Sequence, residues 1–257
     1  MTTMLPESVE TMKVVRKIGH ITPSCNTVLE HVTSLAVAPV AHRVSNHFTR
    51  ITVGNISLAD SDRQQFTPET MVAAARLLGD ANMDAIVWNG TSGCWNGTEA
   101  DIQICDDITR ATGVPASTTT LAQYEVFERY GFTTFALAVP YTDDVTAKTI
   151  ETFSAAGYQA VSHANLGLTV GWEMANVPFG EIKELVRRAD SPEAECVIVV
   201  CTGLPAAFVV EELEHELGKP VFDSVLVTLW KGLQLVDVTD PLPGFGALMR
   251  SAEQVAL

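Results

Sequence analysis

Five cysteines, two short turns rich in threonine and glycine, and a proline-tyrosine corner are the features through which this chain could do chemistry. Cys201 closes the apolar run Cys196-Val197-Ile198-Val199-Val200 and is followed at once by Thr202-Gly203-Leu204-Pro205. A buried strand that delivers a thiol into a small-residue turn opening a helix sets the sulfur beside backbone N–H donors, an environment that favours thiolate. A related segment stands earlier, Asp84-Ala85-Ile86-Val87-Trp88-Asn89-Gly90-Thr91-Ser92-Gly93, with Gly90 at the position matching Cys201. Each segment is preceded by an apolar strand ending at proline, Ile18-Gly19-His20-Ile21-Thr22-Pro23 in one case and Phe135-Ala136-Leu137-Ala138-Val139-Pro140 in the other. Thr91 follows Pro23 by 68 residues and Thr202 follows Pro140 by 62, the mark of a duplicated α/β unit. Two such units facing each other put Cys201 and Gly90 on opposite walls of one cleft.

The elements that must position these turns alternate along the chain. Strands are expected at Ile18–Thr22, Thr49–Val53, Ala85–Trp88, Thr134–Val139, Val197–Cys201 and Pro220–Phe222, with a short one after the stop at Gly113-Val114-Pro115. Helices are expected around Thr27–Ala38, Thr67–Ala81, Glu99–Thr112, Leu121–Tyr130, Asp143–Ala156, Phe179–Ala189, Ala206–Leu217 and Ser224–Val236. The Thr67-Pro68-Glu69-Thr70 start, with an N-cap and proline at the first helical position, sets the pattern. Helices alternating with buried, β-branched strands give an α/β fold with parallel sheets. The division expected is residues 16–122 with 226–257 as a first domain and 123–225 as a second, the last helix and tail returning to pack on the first. Residues 1–15 read as a polar arm.

Composition excludes more than it identifies. The formal charge of −15 argues against a nucleic-acid footprint and against anionic membranes. Five cysteines at irregular spacing make neither a disulfide framework nor a zinc site. Without a signal-peptide pattern or an 18-residue apolar run, a cytoplasmic chain is the expectation.

In parallel sheets, ligands sit beyond the carboxyl ends of the strands. Here those ends carry Pro23, Ser24, Cys25 and Asn26; Gly90, Thr91, Ser92 and Gly93; Tyr141 and Thr142; and Cys201, Thr202 and Gly203. The set is rich in hydroxyls and backbone donors and poor in metal ligands. It suits a carboxylate and the added negative charge of an enolate. A thiol with oxyanion donors, and no cofactor or metal motif, points to proton transfer at a carbon next to a carboxyl.

Pro23-Ser24-Cys25-Asn26-Thr27 with Glu30, the Gly90-Thr91-Ser92-Gly93 turn, Pro140-Tyr141-Thr142-Asp143-Asp144-Val145 and Cys201-Thr202-Gly203-Leu204 together resemble the aspartate/glutamate racemase superfamily. Within it the resemblance runs to the maleate isomerase and arylmalonate decarboxylase branches. It implies two pseudo-symmetric Rossmann-like domains, an active site in the cleft between them, cofactor-independent chemistry and a small carboxylate or dicarboxylate substrate. A homodimer is the assembly it suggests. Racemases and maleate isomerases of the superfamily use two cysteines, one from each half. Here only Cys201 is present and Gly90 holds the other position, as in the decarboxylase branch, whose single cysteine reprotonates an enediolate after carbon dioxide leaves. In that branch Thr91, Ser92 and Tyr141 would hold the remaining carboxylate, with Pro23, Asn26, Thr202 and Gly203 completing the site. Restoring a thiol by Gly90→Cys is then expected to introduce racemisation.

Three readings remain at this stage: a decarboxylase of a substituted malonate, a maleate cis-trans isomerase or racemase, and a non-catalytic carboxylate-binding protein. Asn26 resembles the carboxylate-binding asparagine of the isomerase branch. Cys94 offers a displaced second thiol, although four residues along a helix move a side chain about one turn, roughly 5 Å. Trp172 stands where the isomerase pattern has asparagine and suggests an apolar substituent on the substrate. Cys105 and Cys196 read as core residues, and so does Cys25, although its place in the first motif keeps it, with Cys94, as a thiol that could assist in the isomerase reading. His20 and His47 read as packed or exposed polar groups, and His42, Arg43 and Arg50 as candidates for a cation near the cleft, at least one of them lying on the surface. Glu211, Glu212, Glu214, His215 and Glu216 read as a solvated helix face.

Overall fold

The two apolar strand blocks form two four-stranded sheets of one topology in a computed structural model that describes residues 15–250. The first sheet holds β1 (Arg16–Pro23), β2 (Val44–Ile51), β3 (Ala85–Trp88) and β4 (Ala116–Thr118), in the order β2-β1-β3-β4. The second holds β5 (Thr134–Val139), β6 (Gln159–Asn165), β7 (Cys196–Val199) and β8 (Val221–Asp223), in the order β6-β5-β7-β8. Every neighbouring pair is parallel, so the repeat read from the prolines is a repeat of topology. Helices α1 (Leu29–Ala36), α2 (Asp60–Arg63), α3 (Pro68–Gly79), α4 (Gly93–Asn96), α5 (Thr98–Thr112) and α6 (Thr119–Tyr130) accompany the first sheet. With the second come α7 (Asp143–Ala155), α8 (Gly171–Met174), α9 (Phe179–Ala189), α10 (Val210–Leu217), α11 (Ser224–Leu235) and α12 (Gly246–Arg250).

The inner strands β3, β5 and β7 are buried almost throughout, as continuous apolar sequence requires in a sheet covered on both faces. Helix starts are fixed locally. Thr67 accepts from Thr70 N at 3.3 Å, Thr118 from Leu121 N at 3.2 Å, and Asp223 from Val225 N and Leu226 N at 2.9 and 3.0 Å. Helix α11 is apolar on nearly every side because it lies between the halves. Gly232 packs against Ile18 and Val87 of the first sheet, and Thr228 Oγ1 meets Thr119 Oγ1 of α6 at 2.7 Å.

Three expectations change. β2 starts at Val44, five residues before the expected strand, and β6 was not expected at all. Both are edge strands with half-exposed polar faces, so neither reads as an apolar run. The end of the chain does not return wholly to the first sheet. α12 packs on α10 and β8, with Gly246 N and Ala247 N donating to Glu211 and Glu214 and Arg250 pairing with both carboxylates. Glu214 is therefore not a solvated residue. Its side chain also accepts from Val221 N, and burial pushes its carboxyl up. The polar arm lies outside the described residues except for Val15. Among the described residues no helix is long and apolar enough to cross a membrane.

Candidate active site

With the order 2-1-3-4 in each sheet, the switch of direction falls between β1 and β3 and between β5 and β7, where diverging loops leave a crevice. The loops from these four strand ends meet around one pocket. It is lined by Pro23, Asn26, Gly90, Thr91, Ser92, Tyr141, Cys201, Thr202 and Gly203, so all nine site residues expected from sequence come together. About 430 Å³ of space lies within it, counting the open solvent at its mouth. The loops after β2 and β6 close its side: Ile56 N donates to Thr169 O at 2.8 Å and Gly171 N to Gly54 O at 3.0 Å.

Cys201 is buried just beyond β7. Its sulfur interacts with the Tyr141 hydroxyl, receives the Gly203 and Leu204 N–H groups, and lies 3.8 Å from Met174 Sδ. The Tyr141 hydroxyl is 2.8 Å from Thr91 Oγ1, so a hydrogen-bonded chain Thr91–Tyr141–Cys201 links the two halves. Trp95 packs edge-on against Tyr141 at 5.2 Å and fixes the ring. One hydroxyl of the Thr91–Tyr141 pair donates to the other, which leaves one O–H for a ligand or for sulfur. Ser92 Oγ accepts from Trp88 Nε1 at 3.3 Å and keeps its own proton to give. The thiolate favoured by the sequence reading does not result. Burial outweighs the hydrogen bonds from Tyr141, Gly203 and Leu204, and the thiol is pushed up to about 11.

Asn26 lines the pocket, yet its amide is fully engaged. Nδ2 donates to Thr202 O at 2.9 Å and approaches Thr202 Oγ1 at 3.3 Å, while Oδ1 accepts from Val28 N and Leu29 N at 2.9 and 3.0 Å. Thr202 Oγ1 donates to Asn89 O at 2.9 Å, and Asn89 Nδ2 donates to His20 Nδ1 at 3.1 Å. His20 therefore carries its proton on Nε2, toward Asn46 Oδ1 at 2.9 Å; burial takes it down to about 4, a neutral packed residue as expected.

Other expectations are revised. Cys94 is buried against Thr120 Oγ1 at 3.5 Å, is pushed up to about 12 by burial, and does not line the pocket. Cys25, read as a core residue, does line it, half-buried against Gly171. Trp172 is 59% exposed and lies away from the lining, where Gly171 and Met174 stand instead. Arg43 pairs with Asp240. Arg50 pairs with Glu30 at 2.6 Å and braces the carbonyls of Ser24 and Asn26 at 3.0 and 2.8 Å. Of the described residues, no lysine, arginine or histidine lines the pocket. Sequence reasoning missed Val53, Ile56, Phe66, Trp88 and Trp95, which form much of the apolar wall. Trp88 and Trp95 sit beside the Gly90–Gly93 turn and were within reach of it; Val53 closes the expected strand Thr49–Val53, and Ile56 and Phe66 follow in the connection to α3, which carries no site signal.

Paired α/β sheets of like topology, with a thiol and a cluster of hydroxyls at their shared switch points, define an enzyme of the aspartate/glutamate racemase superfamily. The chain belongs to the arylmalonate decarboxylase family, whose model matches residues 23–249. It is similar to arylmalonate decarboxylase of Bordetella bronchiseptica, 27% identical over 184 residues, which cover 70% of this chain and 77% of that protein. It is also similar to maleate isomerase of Geobacillus stearothermophilus, 22% identical over 246 residues, covering 91% and 96%. Among solved structures, a Nocardia farcinica maleate cis-trans isomerase variant with a covalently bound succinylcysteine intermediate matches with a TM-score of 0.84 at 20% identity, covering 92% of this chain and 99% of that one. Arylmalonate decarboxylase matches at 0.75 and 23% identity, covering 91% and 98%. These two likenesses establish the fold.

Proposed function

We propose that this enzyme is a cofactor-independent decarboxylase of a substituted malonate, with Cys201 as the proton donor. The observation that carries the reading is the position of Cys201 between unlike surroundings. Its sulfur meets the hydroxyl chain of Tyr141 and Thr91 on one side and Met174, at 3.8 Å, on the other. In this reading the retained carboxylate takes hydrogen bonds from Ser92 and from the one O–H that the Thr91–Tyr141 pair leaves free. The departing carboxylate lies against Val53, Ile56, Phe66 and Met174, where it loses hydration. The carbon–carbon bond to that group breaks, carbon dioxide leaves, and the electron pair passes into an enediolate held by the same hydroxyls. Cys201 S–H delivers its proton to the α-carbon, and water reprotonates the thiolate. Pro23, Gly90, Thr202 and Gly203 shape the walls, and Asn26 positions Thr202. Residues 23–95 supply one wall of the cleft and residues 141–203 the other. Proton delivery from one side needs a single donor, in keeping with glycine at position 90.

Maleate isomerisation is the second reading, favoured by the second pocket thiol, Cys25. It asks for polar partners for a second carboxylate, and the engagement of Asn26 with Thr202 counts against it. NMR in deuterium oxide with methyl-phenylmalonate and, separately, maleate separates the two. Loss of carbon dioxide with deuterium at the α-carbon supports the decarboxylase; fumarate from maleate without carbon dioxide loss from the malonate refutes it.

A further inference from the structure

Position 90 is glycine for a reason that lies two residues earlier. The Trp88 indole folds back beneath the turn after β3, is fully buried, and holds Ser92 Oγ through Nε1. A Cβ added at Gly90 would lie 2.8 Å from the indole Cη2 and closer still to Cζ2 and Cε2. These are rigid ring atoms, and Phe66 tilts against the same indole at 6.1 Å, so a side chain at position 90 requires the ring to move. Trp88 and Gly90 both line the pocket, on the side of the first sheet, whereas Cys201 comes from the second. A planar enediolate presents two faces, and the product has one handedness only when the proton reaches one of them. An indole whose single polar atom is already engaged offers neither a donor nor a partner for ordered water.

We propose that Trp88 is a specificity-determining residue: its indole, with Gly90 laid on it, closes the face of the reacting carbon at the Gly90 turn to a side-chain donor at position 90 and to water, so that the proton comes from the Cys201 side. The inference rests on the decarboxylase reading, and two measurements keep the failure of one distinct from the failure of the other.

The first needs no substrate. Thermal denaturation of Gly90→Ala, Trp88→Phe and the double variant tests the lock between the two positions. Alanine at 90 lowers Tm by roughly 2–12 °C in the parent. The loss is less than half as large once phenylalanine removes the ring atoms that position 90 meets. Equal losses in both backgrounds, or no loss in the parent, overturn the lock. The second follows a prochiral substituted malonate in deuterium oxide. The parent yields one enantiomer; Trp88→Phe and Trp88→Leu lower the enantiomeric ratio by about tenfold or more. Gly90→Cys gains α-proton exchange only when combined with Trp88→Phe. Undiminished optical purity in both Trp88 variants, or equal exchange with and without Trp88→Phe, overturns the shielding role. A parent that does not decarboxylate refutes the functional reading and with it the stereochemical role, while the denaturation cycle still decides the lock.

Discussion

Asn26→Ala separates a binding role for this residue from a structural one. The native amide makes two contacts to Thr202, at 2.9 and 3.3 Å, and two to Val28 N and Leu29 N at the start of α1, at 2.9 and 3.0 Å. Loss of the cap at α1 is worth about 1 kcal/mol. Loss of the donor to the buried Thr202 carbonyl is worth about 1–3 kcal/mol, since that oxygen is left without its amide partner. The sum, about 2–4 kcal/mol, corresponds to a Tm decrease of roughly 4–16 °C for a chain of this size. Asn26→Asp keeps an acceptor for Val28 and Leu29 but turns a carboxylate oxygen toward the Thr202 carbonyl. Near neutral pH it is no more stable than the alanine variant, and it recovers as acid protonates it. Chemical denaturation of the three proteins measures these differences directly. A loss below about 0.5 kcal/mol for Asn26→Ala, together with a raised KM, would refute the reasoning and return Asn26 to substrate binding.

Other expectations follow from the same geometry. Cys201→Ala abolishes turnover, by at least about 100-fold, while leaving the cooperative unfolding transition in place; near-parent rates would end the proton-donor assignment. Tyr141→Phe removes the link between Thr91 and Cys201 and lowers kcat by about 10²–10³-fold, with about 1–2 kcal/mol lost in stability, checked by steady-state kinetics and urea titration. Asp223 is fully buried, with Oδ1 capping α11 and Oδ2 unpartnered, and burial raises its carboxyl from 3.8 to about 7. Between those values the folded chain keeps a proton that the unfolded chain releases. The contribution to stability is therefore full below about pH 4 and fades as pH rises through about 7. Asp223→Asn has a smaller difference in urea midpoint between about pH 4 and pH 8 than the parent, and an unchanged difference would contradict this.

The repeat of a proline-ended strand followed by a small-residue turn was enough to place the four loops that build the pocket, because parallel sheets send their strand ends to one side. What stayed hidden depended on contacts between segments distant in sequence. Cys25 looks like a core thiol until the chain brings Gly171 against it, and Trp172 looks like a pocket wall until α8 turns it outward. β2 and β6 hide because an edge strand alternates between the core and a polar face. Glu214 hides because its partners lie on β8 and α12, beyond any helical spacing. The glycine at 90 was legible as a missing thiol; the indole that excludes a replacement was not, since no spacing rule folds a strand-end tryptophan back under its own turn.

The protonation of Cys201 decides what kind of chemistry the pocket favours. Three hydrogen bonds, from Tyr141 and from the Gly203 and Leu204 N–H groups, favour thiolate, but complete burial opposes it and prevails, and the resting group is a thiol. A thiol is a poor nucleophile toward an electron-poor alkene and a ready acid toward a carbanion. The same donors that fail to ionise the resting sulfur still hold the thiolate left after proton transfer, because they act on charge only once it forms. Burial and hydrogen bonding thus act at different points of one cycle. In the proposed decarboxylation the first keeps the proton on sulfur until an enediolate is present, and the second stabilises the sulfur after the proton has gone.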